Sequence, residues 1–268
     1  MDSRNTERNP LIAATFNANS IRTRLDTILA WLAQHQPDVL GIQETKVQDK
    51  DFPLDPFRAA GYHVSFRGEK AHGGVALLTR SEPSAVAYGL DDGEEPADPA
   101  RLVYAFVNGL HVVNCYVPQG REITDPQYAY KLRWLVRLRA YFARHFTTRD
   151  KVLWMGDFNV APGSADIYNS EHQANHVAYH VDARRALNTV RDWGFIDVYR
   201  KHHPEPGRYT YFDYRLSDAL EANRGWRVDH LFATPPLASR STDAWIDLEP
   251  RRAEQPSDHT FLAASFKL

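Results

Sequence analysis

The sequence predicts an α/β fold of four layers, with two mixed β-sheets packed face to face and helices outside them. Three observations carry this. The chain opens on a strand–helix–strand unit. Its second half repeats such a unit. The remaining strand-like runs are too apolar and too numerous to bury against helices alone. No low-complexity linker divides the chain, so residues 11–268 read as one domain behind a polar, flexible start at residues 1–10.

Each element follows from local pattern. LIAATFN, residues 11–17, is an apolar run of strand length. Ile21, Leu25, Ile28, Leu29 and Leu32 then fall at helical spacing, with Ser20 or Asn19 as N-cap and Pro37 as the stop. DVLGIQE, residues 38–44, is a second buried strand. YHVSFRG, GGVALLT, PSAVAYG, RLVYAFVNG and LHVVNCYVP follow as strands punctuated by Gly, Pro and Asp, and Asn108-Gly109 is a hairpin turn. DDGEEPADPA is an acidic surface loop. Asp125 and Pro126 open a second helix over about residues 127–146. Leu135, Leu138 and Phe142 line one of its faces, and Arg133, Arg137 and Arg144 read as a solvated one. KVLWMGD is another buried strand and ARRALNTVRDWG a short helix. RYTYFDYR, WRVDHLFAT, DAWIDLE and TFLAASF read as closing strands.

Composition excludes several classes. With 43% hydrophobic and 25% charged residues the chain is of ordinary globular make-up. A formal charge of −2 excludes a histone-like, non-specific nucleic-acid binder, but not an enzyme that meets phosphate locally through a metal and a few arginines. The single cysteine, Cys115, excludes an internal disulfide. Together with the lack of a signal-like start it points to the reducing cytoplasm. No apolar run approaches the ~18 residues of a membrane span.

Six segments share one pattern, an apolar strand bordered by a chemically useful polar group. They are Asn17 with Asn19, Glu44, Asn114 with Tyr116, Asp157 with Asn159, Asp229, and Asp258 with His259. Residues two apart on a strand share a face, so the pairs each present two groups to one place. Strand-end sites of layered α/β folds collect at one sheet edge. The set is rich in oxygen ligands, with one histidine and no thiolate, which suits magnesium or manganese rather than zinc. A carboxylate-bound magnesium with open coordination positions is a common means of hydrolysing a phosphate ester. Taken singly, GDFN is more often a turn after a strand, and SDH is a common tripeptide. Six such segments in this order are not expected by accident.

FNANSIR, IQETK, HGGVALL, VNCYVPQG, GDFNVAP, YTYFDYR, NRGWRVDH and SDH, in this order and spacing, resemble the exonuclease III type of AP endonucleases. These belong to the endonucleases, exonucleases and phosphatases that share a deoxyribonuclease I-like fold. The resemblance runs from about Leu11 to Leu268, and NRGWRVDH points to the nuclease branch. It implies a Mg2+ (or Mn2+) shell drawn from Asn17, Asn19, Glu44, Asp157, Asn159, Asp258 and His259, with Glu44 the principal ligand. It implies that Asp157 orients or deprotonates the attacking water. Asn159 and His259 would hold the scissile phosphate, His259 oriented by Asp229, and Tyr116 would stabilise developing charge. Trp226, Tyr211 and Val228 would form the pocket for a flipped-out abasic sugar, and Asn114 lies with the substrate-facing groups. Lys46, Arg121, Arg224 and Arg227 are either phosphate contacts or solvated surface charges.

The implied activity is incision 5′ to abasic sites in double-stranded DNA, leaving a 3′-hydroxyl, together with removal of nucleotides or blocking groups from 3′ ends by a monomer. A phosphoesterase of the same fold on a non-DNA ester, or a DNA-binding module without catalysis, are the alternatives. The chain departs from the family's usual pattern at Gln119, commonly Asn, at His230, commonly apolar or Tyr, and at Thr260 after SDH. None of these removes a catalytic group.

One segment resists assignment. Residues 161–185 hold His172, His176 and His180, each four apart. On a helix they would share a face and could bind a metal, but a solvated turn of helix is the better reading. By the resemblance, this segment lies over DNA and tunes substrate choice.

Overall fold

The computed structural model describes residues 10–69 and 73–268. The expected flexible start at residues 1–9 and His72 of HGGVALL lie outside the described residues.

Twelve strands among the described residues form two six-stranded sheets. The first holds β1 (Leu11–Asn17), β2 (Val39–Gln43), β3 (His63–Arg67), β4 (Val75–Thr79), β11 (Ser241–Asp247) and β12 (Phe261–Phe266), in the order β11-β12-β1-β2-β4-β3. The second holds β5 (Ala85–Tyr88), β6 (Leu102–Val107), β7 (Leu110–Tyr116), β8 (Val152–Asp157), β9 (Ile196–Asp197) and β10 (Asp229–Ala233), in the order β5-β6-β7-β8-β10-β9. The sheets are built alike. Each has one central parallel pair, β1 with β2 and β7 with β8, flanked by antiparallel neighbours. β1, β2, β7, β8 and β12 bury nearly every residue, because one face meets the other sheet and the opposite face meets a helix.

The outer layers are helical. On the first sheet lies α1 (Leu25–His35), whose Ile28, Trp31 and Leu32 are buried, with Trp31 stacked on Phe261. Short α2 (Leu54–Ala59) lies nearby and contributes Phe57. On the second sheet lie α3 (Pro126–His145) and α4 (Val181–Arg191), packed against each other. Asp125 caps α3 by accepting from the Gln127 amide, and Pro126 fills the first helical position, as the sequence predicts. Short α5 (Val198–His202) and α6 (Pro235–Ala238) complete the set. No described helix is long and apolar enough to cross a membrane.

Two expected elements differ. α1 starts at Leu25 rather than beside Ser20, with Arg24 as N-cap and no side-chain cap, because residues 19–24 form a turn needed elsewhere. RYTYFDYR is not a strand. Tyr211 makes only isolated bridges to Trp226 and His259.

Candidate active site

The topology explains why six distant segments meet. Parallel strands β1, β2, β7 and β8 deliver their C-terminal ends to one edge. Antiparallel β10 and β12 deliver their N-terminal ends to the same edge, with Asp229 in register with Asp157. Asn17, Glu44, Tyr116, Asp157, Asp229 and the Asp258–His259 pair therefore converge without any long excursion of chain.

Hydrogen bonds join the two sheets at this edge. Asn17 Nδ2 donates to Glu44 Oε1 at 2.9 Å and to Asp157 Oδ2 at 2.9 Å. Its Oδ1 accepts from the Asn19 amide, and Asn19 Nδ2 donates to Asp258 Oδ1 at 2.9 Å. Lys46 Nζ lies 2.8 Å from Glu44 Oε2 and donates to Asn19 Oδ1 at 2.5 Å. On the other side, the Asn159 amide and its Nδ2 both donate to Asp157, at 2.8 and 3.2 Å. His259 Nδ1 lies 2.8 Å from Asp229 Oδ2, and its Nε2 lies 3.9 Å from Asp157 Oδ2. Asn19, Glu44, Lys46 and Asn159 all have positive φ, near 50°. Such conformations persist only where surroundings over-determine them, and they cluster at functional sites.

Burial sets the electrostatics. Asp157 and Asp229 are almost fully buried and His259 nearly so. Burial raises the Asp157 pKa, with Asp229 and Glu44 adding to it and His259 opposing. Burial also works against charge on His259, but Asp229 and Asp157 outweigh it and raise that pKa. Glu44 is held below the usual carboxylate range, because Lys46, the Asn17 amide and His259 outweigh its desolvation. Burial, with Glu44 and Asp157 nearby, keeps the Tyr116 hydroxyl protonated.

The donor set fits a hard divalent cation. Asn17 bridges Glu44 and Asp157, Asn19 links this pair to Asp258, and Lys46 and His259 are the cations beside Glu44 and Asp229, so oxygen ligands dominate. Asp157, Asp229 and His259 have ligand atoms within 4.8 Å of one another. The Lys46 ammonium between Glu44 and Asn19 marks where these side chains favour positive charge.

A cavity of about 330 Å³ opens beside this cluster, lined by Glu44, Asn159, Tyr211, Trp226, Val228 and His259 among others. Tyr211, Trp226 and Val228 lie together in it. The unassigned segment supplies the opposite wall. Residues 161–180 form two single 3-10 turns rather than a helix, so the three histidines share no face. His172 is exposed. His176 packs on Trp226 at 4.1 Å between ring centroids, and His180 caps α4.

Two predicted substrate contacts are corrected. Arg227 is fully buried and pairs with Asp166 and Asp197, each at 2.7 Å, so it cannot reach a phosphate. It braces the segment leading into β10 that carries Trp226 and Val228, and His230, kept neutral by burial and by Arg227 with its pKa pushed down to about 3, joins that brace. Asn114 is also fully buried. It lies between the sheets, bonded to Gln43 and to the Ile42 and Ala76 carbonyls. Arg121 is exposed, and Arg224 stands at the cavity rim paired with Asp218.

Sequence reasoning missed Lys131, Asp166 and Asp197, and read His176 as part of a solvated turn, whereas it packs on Trp226 in the cavity wall. The one available signal was a lysine in the apolar stripe of α3, at the spacing of Tyr128, Leu135, Leu138 and Phe142.

A two-sheet α/β sandwich with an oxygen-rich, histidine-assisted cluster at one edge defines a class of metal-assisted phosphoesterases on the deoxyribonuclease I-like fold. The chain belongs to the endonuclease/exonuclease/phosphatase family, which its residues 14–259 match. It is 34% identical over 265 residues to exodeoxyribonuclease III of Haemophilus influenzae, covering 94% of this chain and 98% of that one. Its structure is similar to that of an AP endonuclease from Archaeoglobus fulgidus, with TM-score 0.94, 47% identity, and 96% and 100% of the two chains covered. It is also similar to a 3′-5′ exonuclease from Neisseria meningitidis, with TM-score 0.91, 34% identity, and 96% and 99% covered.

Proposed function

We propose that this protein is a DNA repair nuclease, a Mg2+-dependent (or Mn2+-dependent) phosphodiesterase. It incises double-stranded DNA 5′ to abasic sites to leave a 3′-hydroxyl and removes nucleotides or blocking groups from 3′ ends. The observation that carries this reading is the placement of Asp157. Its carboxylate is shared by Asn17, Asn159 and the neighbourhood of His259, and the adjacent cavity has an apolar wall of Trp226, Tyr211 and Val228.

Each residue then has a task. Asp157, with its raised affinity for a proton, takes one from water as the water oxygen bonds to phosphorus and the bond to the 3′ oxygen breaks. His259, held protonated against Asp229, donates to a non-bridging phosphoryl oxygen, and Asn159, whose side chain donates to Asp157 and to Val117 O, lines the same cavity. Tyr116 offers its hydroxyl to the charge that develops as the ester bond breaks. Glu44, Asn17, Asn19 and Asp258 would hold the metal, which when bound neutralises phosphoryl charge and stabilises the leaving oxygen. A nucleotide lacking its base loses little stacking when it leaves the helix, which favours entry of an abasic sugar into the Trp226 pocket. Arg224 at the rim and the exposed Arg121 suit phosphate positioning without sequence readout.

The test uses purified protein with end-labelled duplexes carrying an abasic analogue or a recessed 3′ end, with magnesium and with chelator. Magnesium-dependent cleavage to a 3′-hydroxyl product is expected. Intact duplex in magnesium at high enzyme concentration would sink the reading.

A further inference from the structure

Lys131 is the most unusual buried group outside the cluster just described. It lies in the second turn of α3, is wholly inaccessible, and forms no ion pair with any described residue; burial pushes its pKa down to about 7, with the Asp157 carboxylate opposing. A lysine is rarely buried without a counter-charge, and a buried ammonium must gain specific hydrogen bonds to offset its lost hydration. The gains here are three backbone carbonyls. Nζ donates to Asn159 O at 2.7 Å, Val177 O at 3.1 Å and Gln119 O at 3.2 Å. The three protons of an ammonium match three acceptors, whereas a neutral amine has only two N–H groups to donate.

The three carbonyls come from three separate segments. Gln119 follows β7, Asn159 follows β8, and Val177 belongs to the long connection before α4. All three segments wall the cavity, through Gln119, Asn159, and His176 with Ala178. The packing around the lysine stem is tight. Gly120 has φ +92°, and a Cβ there would meet Val177 Cγ2 at 2.9 Å and Lys131 Cδ at 3.2 Å. Asn159 in turn donates twice to Asp157. One ammonium thus connects the helix layer to the carboxylate of the reaction through a single residue.

We propose that Lys131 is a positioning residue for phosphodiester hydrolysis, fixing three cavity walls through their carbonyls and holding Asn159, and with it Asp157, in register with the scissile phosphate. This rests on the phosphodiesterase reading above. A misplacement of about 1 Å at a reacting group costs on the order of 10²-fold in rate, and three released carbonyls in a buried site permit a shift of that size.

The experiment compares Lys131→Met, which fills similar volume without donors, with Leu138→Ala, a buried change on the same helix at a residue that does not line the cavity. kcat and KM on an abasic duplex are measured well below both melting midpoints. Lys131→Met is expected to lower kcat by on the order of 10²-fold with KM within about threefold, while Leu138→Ala keeps kcat near wild type. A kcat for Lys131→Met no lower than that of Leu138→Ala overturns the proposal. If Lys131→Met does not fold, Lys131→Gln, which keeps two donors, is judged by the same comparison. A wild-type protein that cleaves nothing strikes the reaction assignment itself. A cleaving wild type matched by its Lys131 variants strikes the positioning role alone.

Discussion

At the scale of single residues, the active-site assignments turn on Asp157 and His259. Asp157→Asn keeps the hydrogen-bonding shape but cannot take a proton. Its kcat is expected to fall by roughly 10²–10⁴-fold while the Kd for an abasic duplex in calcium stays within a fewfold of wild type. A binding titration beside a turnover assay decides it, and near-normal turnover would remove Asp157 from proton transfer. The His259 pKa is raised to about 10, since Asp229 and Asp157 outweigh its burial. A raised value means the imidazolium persists below about pH 10 and is lost as pH climbs through it. Asp229→Asn removes the largest of the carboxylate contributions, so the alkaline limb of kcat should move down by about one pH unit or more. A kcat profile from pH 6 to 11 in which the limb does not move would show that protonated His259 is not required. These residues were readable because a polar group beside an apolar strand is unusual and period-2 alternation states which neighbours share a face. The same rule misled at Asn114 and Arg227. Asn114 shares a face with Tyr116 but sits one pair deeper, where that face meets the other sheet. Arg227 lies between Trp226 and Val228 in sequence and so faces away from their pocket.

At the scale of elements, what the sequence concealed was demand from outside each element. Helix α1 begins late because Asn19 and Ser20 adopt positive φ to serve the Glu44 edge, and Arg24 ties that turn to Pro256 O at 2.8 Å. The arginines of α3 show the same effect. They look like a solvated face, yet Arg137 grips Asp92 with two bonds of 2.7 Å and also reaches the Glu94 and Pro96 carbonyls, while Arg144 donates to Leu90 O. The acidic loop between β5 and β6 is thereby fastened to the helix. Hydrogen bonds from Arg137 hold the Asp92 pKa down to about 2. A depressed folded value stabilises the protein above the unfolded pKa of about 4, and this contribution disappears as pH falls through about 2. Asp92→Asn should therefore cost about 1–2 kcal/mol at pH 7, discounted from the full shift because the pair borders solvent. Urea denaturation at pH 7 and again near pH 2 checks this. The wild-type advantage should close at the lower pH, and an advantage unchanged with pH would assign it to packing rather than to the ion pair.

At the scale of the whole molecule, the decisive relation is between the two sheets, because Glu44 extends the first and Asp157 ends the second. The presence of two sheets could be read from the number of apolar runs. Their strand orders could not, since both sheets are built alike and the pairing depends on partners far apart in sequence. Apolar burial between sheets is non-directional and does not by itself prevent sliding. Directional bonds are concentrated at Asn114. Its Nδ2 donates to Ile42 O and Ala76 O on the facing sheet, and its Oδ1 accepts from Gln43 Nε2 at 2.6 Å, which also donates to Thr15 Oγ1. Gly41 leaves the space for this, since a Cβ there would stand 2.7 Å from the Asn114 side chain. Asn114→Leu should cost about 2–4 kcal/mol, because it strands two carbonyls and an amide in a dry interface. If these bonds also set the register of Glu44 against Asp157, the magnesium concentration for half-maximal cleavage should rise severalfold. Val112→Ala, a cavity between the same sheets, supplies the control, since it lowers stability without touching a polar bond and should leave the magnesium requirement unchanged. Equal magnesium midpoints in the two variants would mean that the inter-sheet register is set by shape alone, and that Asn114 contributes to stability without tuning the metal site.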